Sequence, residues 1–191
     1  MEYDGTRFKG QRYDCDIKAH EYSECTFERC HFADMALKDV VFSNCVFDGC
    51  TFRNVDVSGL RMQNTLLLAC ACIGIDWSEV RRTGKLFPLF KEIRGCTLKF
   101  NNFFKMKIPK IPIVDSSLLD CAFMECDLSG SEFRNADFRE TTFQDCDLSK
   151  ADFRDARNYR INTTSNRLAK ARFSLPEVVG LLHNLDVIIE S

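Results

Sequence analysis

Every fifth residue of this chain is apolar over two long runs. From Ile17 the series reads Ile17, Tyr22, Phe27, Phe32, Leu37, Phe42, Phe47, Phe52, Val57, Met62, Leu67, Cys72 and Trp77. From Ile93 it reads Ile93, Leu98, Phe103, Ile108, Ile113, Leu118, Phe123, Leu128, Phe133, Phe138, Phe143, Leu148 and Phe153. Hydrophobic residues are 45% of the chain, so a run of this length arises by chance roughly once in 30,000 trials. Few folds tolerate such a period. A helical stripe alternates steps of three and four residues, and a fixed step of five spirals around a helix instead of marking one face.

A second signal sits two residues before each apolar centre. Cys15, Cys25, Cys30, Cys45, Cys50, Cys70, Cys96, Cys121, Cys126 and Cys146 all hold that position, ten of the chain's 11 cysteines. Val, Ser, Thr or Ala fills most of the other units. In extended backbone, residues i−2 and i point the same way. A small and a large side chain thus enter a narrow interior together, and free Cys is a small hydrophobe with a high tendency to be buried. The other three positions face out. Because the inward pair recurs with every five-residue step, the chain must turn at each step. The odd cysteine number and the absence of an apolar run in Met1 to Arg12 predict reduced thiols, no secretory signal and a cytoplasmic protein. No stretch of 18 apolar residues exists, so no membrane partner is expected.

Units such as Ala136-Asp137-Phe138-Arg139-Glu140 and Ala151-Asp152-Phe153-Arg154-Asp155 resemble the A-(D/N)-(L/F)-x-x repeat of the pentapeptide-repeat family, over roughly residues 13–157. The resemblance implies an all-β solenoid: a right-handed, quadrilateral β-helix with four pentapeptides per turn. From Trp77 to Ile93 the spacing is 16 residues, three units plus one, so the register slips between them near Gly84 and Pro88. The expected organisation is an N-terminal stack over 1–77, a break or loop over 78–92, a C-terminal stack over 93–157 and a cap or dimerisation segment over 158–191.

After Ala156 the period stops. Ser174-Leu175-Pro176-Glu177 has the form of a capping box with Pro in the first turn, which predicts a short C-terminal helix. A solenoid end exposes apolar interior and must be covered. The tail either folds back as a cap or makes a homodimer, and the apolar surplus of Val178, Leu181, Leu182, Leu185, Val187 and Ile189 favours the dimer. Asn158-Tyr159-Arg160-Ile161 and Ala171-Arg172-Phe173-Ser174-Leu175-Pro176-Glu177 resemble the C-terminus of the quinolone-resistance and albicidin-immunity branch of that family. This resemblance implies a two-fold dimer and DNA gyrase or topoisomerase IV as partner.

The net charge of −2 conceals a layered pattern: −5 over residues 1–79, +8 over 80–112, −7 over 113–156 and +2 over 157–191. Stacked at about 4.8 Å per turn, the third layer carries about one negative charge per 1.5 Å of axis, against about 1.7 Å for duplex DNA. Asp127, Glu132, Asp137, Asp147 and Asp152 hold the position before the centre and are the expected partner-binding acids. The basic layer, with Arg81, Arg82 and Lys85 in the break, is a second expected contact. It fits an acidic protein patch, a nucleic acid or a plain solvated face equally well.

Catalytic chemistry is not legible. The three histidines, His20, His31 and His183, form no nucleophile–base set, and His20 at an inward position reads as a core histidine. Pairs such as Cys25/Cys30 and Cys121/Cys126 lack zinc-site spacing, and the repeat already explains them. The expectation is a binding protein, not an enzyme, with no metal, no cofactor and no direct contact to DNA. It would mimic DNA toward a topoisomerase and protect that enzyme from inhibitors. The alternative is a structural or adaptor module for another protein.

Overall fold

The computed structural model describes residues 1–82 and 87–185. The chain winds into an all-β solenoid of about eight turns, with parallel strand pairing between successive coils. Each pentapeptide occupies one of four sides, so residues about one coil apart stack in columns. One column is Tyr3, Tyr22, Phe42 and Met62. The next is Phe8, Phe27, Phe47, Leu67, Ile93 and Ile113. A third is Tyr13, Phe32, Phe52, Cys72, Leu98 and Leu118. On the fourth side Ile17 stacks on Leu37, and further along Phe103, Phe123, Phe143 and Ile161 follow one another.

The apolar centres meet inside as one continuous core. Rings stack face to face within a column, with centroids 4.7 Å apart for Phe27–Phe47, 4.8 Å for Phe32–Phe52 and 4.4 Å for Phe103–Phe123. These spacings match the distance between neighbouring strands. Rings on adjacent sides meet edge to face, as Phe133 and Phe138 do at 83°. An interior gap bounded by Phe42, Phe47, Phe52, Leu67, Ile75 and Trp77 measures about 10 Å³, no more than one water requires.

The cysteines do more than fill space. Nine of the thiols donate to the carbonyl of a centre in the preceding coil, as in Cys45 Sγ to Tyr22 O at 3.3 Å, Cys70 Sγ to Phe47 O at 3.3 Å and Cys126 Sγ to Phe103 O at 3.2 Å. Thr141 and Asn166 at the same position donate to Leu118 O and Phe143 O. The small inward residue therefore also closes the hydrogen bonds of buried backbone at the corner. Asn101 takes this further: it accepts from Trp77 Nε1 at 2.9 Å and donates to Cys72 O and Lys99 O.

The turn itself lies two residues after each centre. Glu24 (φ 54°), Asn44 (φ 54°), Asn64 (φ 51°), Asp115 (φ 54°), Asn135 (φ 56°) and Asp155 (φ 61°) are all left-handed, as are Gly49, Gly74, Gly95 and Gly130 in the same phase. That conformation bends the chain out of one side into the next, and Gly, Asn and Asp adopt it most readily.

Several boundaries differ from the sequence reading. The repeat resemblance begins near residue 13, but the solenoid itself starts at Glu2, within the stack expected over 1–77. Tyr3, Phe8 and Tyr13 keep the five-residue step, but four residues instead of five separate Tyr13 from Ile17, so the first coil runs one residue out of phase. At the other end, residues 158–173 form a further coil: Ile161 pairs with Phe143 and Phe173 with Phe153. Within 78–92, Arg81–Arg82 still pairs with Arg61 and Met62. Phe90–Arg94 pairs with the strand Thr65–Leu68 through a bulge, and Leu89 and Phe90 are buried, Phe90 edge-on to Trp77 at 5.1 Å. The capping box does not form. The tail is a 3-10 helix, Glu177–Asn184, whose N-cap is Pro176 with no side-chain cap bond. The Ser174 hydroxyl is instead occupied by the backbone N–H of Asp155 at 2.9 Å. Among the described residues no helix is long and apolar enough to cross a membrane.

Candidate partner-binding site

The five acids singled out by sequence lie on three different sides. Asp127 and Asp147 neighbour each other on one side, in line with Lys107 and Arg167; Glu132 and Asp152 share the next, and Asp137 stands on a third between Ser117 and Arg157. Their common position before the centre gives most of them a local task. The carboxylate of Asp127 accepts the backbone N–H of Ser129, that of Asp147 the N–H of Ser149 and that of Asp152 the N–H of Arg154. Asp56 does the same for Ser58. Asp residues here stabilise the turn of their own side.

Asp137 corrects the expectation that all five point into solvent. It is 5% exposed, accepts from the N–H of Arg139 and from Asn158 Nδ2 at 2.8 Å, and has the Arg139 and Arg157 guanidinium groups at 3.3 and 3.4 Å. Glu132 is exposed and paired with Arg134 at 3.1 Å, and Asp152 is half-buried and paired with Arg154 at 2.7 Å. Hydrogen bonding from the Arg154 side chain holds the Asp152 carboxyl below the usual range. Asp147 faces Arg167 at 3.9 Å.

Besides Glu132, the exposed acids of this layer are Asp115, Asp120, Glu125, Glu140, Asp145 and Asp155. All sit two residues after a centre, at the left-handed corners. The sequence held this signal in the Asp, Glu and Asn of that phase, but its conformational meaning appears only with the corner geometry. Arg94 reaches Asp115 at 3.1 Å, Lys105 reaches Glu125 at 3.5 Å and Arg160 reaches Glu140 at 3.7 Å. Asp120 and Asp145 form no ion pair among the described residues.

The basic layer wraps the middle of the rod. Arg81 is exposed, while Lys85 and the side chain of Arg82 lie outside the described residues. In the tail, Val178 and Leu181 are half-buried, Leu181 against the core; Leu182 is 37% and Leu185 40% exposed, and Val187 and Ile189 lie outside the described residues. His20 is half-buried, with Nδ1 2.6 Å from Lys18 O, and its ring lies 6.0 Å from both the Tyr3 and the Tyr22 ring, which stack directly on each other at 5.0 Å. Ten cysteines are buried and Cys15 is exposed. Burial pushes the Cys45 thiol up to about 12 and the Cys121 thiol to about 11. Among the described residues no three His, Cys, Asp or Glu side chains are grouped as a metal site.

Residues 116–178 match the pentapeptide repeat region, and residues 22–66 match pentapeptide repeats in nine copies. No curated protein matches the chain by sequence. Among solved structures, a trypsin-treated form of QnrB1, a plasmid-mediated fluoroquinolone resistance protein, superposes with a TM-score of 0.67 at 14% identity, over 100% of both chains. A second trypsin-treated QnrB1 form gives a TM-score of 0.53 at 19% identity, over 100% of this chain and 99% of that one. HetL, a pentapeptide repeat protein involved in heterocyst differentiation regulation from the cyanobacterium Nostoc, gives 0.49 at 11% identity, over 89% and 86%. At these identities the likeness is one of fold. With its repeat period, its four-sided coils and repeat matches in both halves, this chain belongs to the pentapeptide-repeat family.

Proposed function

We propose that this protein is a non-catalytic binding rod that docks on a type II DNA topoisomerase, DNA gyrase or topoisomerase IV, and shields it from an inhibitor. The observation that carries this reading is the acid lattice of coils 113–156. Corner residues Asp115, Asp120, Glu125, Glu140, Asp145 and Asp155 are exposed at repeating heights along the axis. Asp120 and Glu140, and likewise Glu125 and Asp145, are successive corner carboxylates about 4.8 Å apart, while Asn135 separates Asp115 from Asp155; the array is rigid and loses little entropy on docking. The tail likeness to the quinolone-resistance branch and the shared fold with QnrB1 support the choice of partner. Protein as the partner, rather than DNA itself, follows from the sign of the charge.

A gyrase supercoiling assay with and without a gyrase poison tests it. The parent protein should restore supercoiling in the presence of the poison, and the variant Asp120→Lys/Asp145→Lys should lose that effect at an unchanged melting temperature. A folded variant that protects like the parent removes this lattice from the contact. The second reading, an adaptor for a different protein, draws on the arginines that neutralise Glu132, Asp137 and Asp152. A parent protein with no effect on gyrase leaves the adaptor reading in place.

A further inference from the structure

Among the described residues, large apolar side chains that stand well out of the rod lie at Met1, at Phe87 in the register break, in the tail, and in one cluster on the body. That cluster is Phe100, 54% exposed, Phe104, 42%, and Met124, 38%. Phe104 and Met124 are register partners on neighbouring strands of one side. Phe100 occupies the corner leading into that side. Its backbone is left-handed, with φ 57°, at a position otherwise held by Gly, Ala, or polar and charged residues. A bulky aromatic there is an outlier, and such strain persists where a surface has a use for it. Phe100 is thus doubly out of place, exposed and in an unfavourable conformation.

Cations frame the cluster. Lys99 Nζ lies 4.7 Å from the Phe100 ring centre and Lys105 Nζ 4.7 Å from that of Phe104. Lys105 also reaches Glu125, whereas Lys99 and exposed Lys107 have no ion-pair partner among the described residues. The coils on either side turn acidic at once. Asp76 is bridged to Asn102 on the same side, and Asp120 and Glu125 occupy the corners of the following coil.

We propose that Phe100, Phe104 and Met124 form a docking surface for a protein segment that offers an apolar side chain flanked by carboxylates. The apolar cluster receives the side chain, and Lys99 and Lys107 receive the carboxylates. Exposed aromatics beside lysines also suit single-stranded nucleic acid, but the charge pattern disfavours it. On this side of the rod the basic zone is one coil tall, about 4.8 Å, and carboxylates lie on both sides of it, well within the screening length of about 10 Å at 0.1 M salt. A strand of phosphates leaving this coil meets those carboxylates, whereas a protein segment can end its charge with the patch. Aromatic and Met side chains are enriched in protein interfaces. The inference does not depend on whether the partner is a topoisomerase.

Selection from a library of short random peptides displayed on phage tests the surface. The full-length protein is the target and the variant Phe100→Ser/Phe104→Ser the counter-target. The expected yield is peptides with one large apolar residue and at least two acids. A synthetic copy should bind the parent, bind the double variant and Lys99→Glu/Lys107→Glu about tenfold more weakly or worse, and weaken in 0.5 M salt. Phe100→Asn, which suits the left-handed corner, should keep or raise the melting temperature while weakening binding, which separates docking from folding. Absence of enrichment, peptides without acids, or equal binding to the double variant overturns the proposal. So does oligo-dT bound more tightly than the selected peptides and lost in the double variant, which makes the surface a nucleic-acid platform. A parent oligomer that the double variant dissociates makes it a self-contact instead.

Discussion

Asp137 and Asp120 belong to the same acidic layer, yet their side chains do different work. Asp137 is buried among Arg139, Arg157 and Asn158, so Asp137→Lys places two arginines and a lysine together without their anion. We expect a loss of about 2–3 kcal/mol in urea unfolding, because a buried site loses its hydrogen-bonded anion and takes in an unpaired charge. Asp120→Lys, at an exposed corner, should stay within about ±0.5 kcal/mol. Carboxylates that support turns also set the acid limit. The backbone N–H of Ser58 holds Asp56 below the usual carboxyl range, and the Arg154 side chain does so for Asp152. A carboxyl depressed in the folded state stabilises above its unfolded pKa of about 3.9 and loses that contribution as pH falls through the folded value. The melting temperature should therefore drop as pH is lowered below about 4, and Asp152→Asn should flatten part of that drop. Burial sorts the cysteines in the same way. A native protein should react quickly with a thiol reagent at Cys15 and slowly at the other ten, which mass spectrometry after brief labelling reads directly.

At the scale of the coil, the five-residue period made the inward pair, its columns and the smallness of the inward residue legible. Phe133, fully buried against Phe138, Phe143 and Phe153, is such a centre. Phe133→Ala should cost about 3–5 kcal/mol in chemical unfolding through the cavity it leaves. What the period hid has physical causes. Tyr3, Phe8 and Tyr13 supply only three units, in another phase. In the last coil Tyr159 and Ile161, both buried, stand two residues apart, so the step of five is lost although the strand still pairs. Pro176 and Ser174 matched a helix signal, but the Ser174 hydroxyl meets a better-placed donor in Asp155 N–H, and a donor brought in from a neighbouring coil has no trace in a local motif. The acids expected to bind a partner hold the phase where Asp supports the turn, and apart from Glu132 the exposed acids of the layer lie three residues later. Gly59 is equally invisible as a constraint. A Cβ there would meet Asp39 N at 2.9 Å, Leu37 O at 3.0 Å and Lys38 Cα at 3.0 Å, all backbone of the neighbouring coil. Gly59→Ala must push two coils apart, and a loss of about 1–3 kcal/mol is expected, against little change for Gly5→Asn at an open corner whose φ of 54° suits Asn.

For the whole molecule, the question is what covers the C-terminal end of the solenoid. Tyr159 and Ile161 close the last coils, with Phe173 and Leu181 packed against them from the tail. That much is a cap. Beyond it Leu175 is 79% exposed, Val179 43%, Leu182 37% and Leu185 40%. Capping the end of its own rod does not use these side chains, and a second copy meeting them about a two-fold axis would use them on both chains at once. Burying apolar area at about 25 cal/mol per Å² favours that arrangement over leaving four large side chains in water. The parent protein should sediment as a dimer at micromolar concentration. A chain ending at Ser174 keeps the Ser174–Asp155 bond and the last coil but loses the apolar surplus, and should sediment as a monomer or aggregate. Leu182→Glu with Leu185→Glu is the gentler variant: it leaves Leu181 on the core, should retain the melting cooperativity of the parent, and should halve its mass in sedimentation. A parent that sediments as a monomer reduces the tail to a cap. The acidic coils would then act singly, with no second rod to lengthen the charged surface offered to the proposed partner.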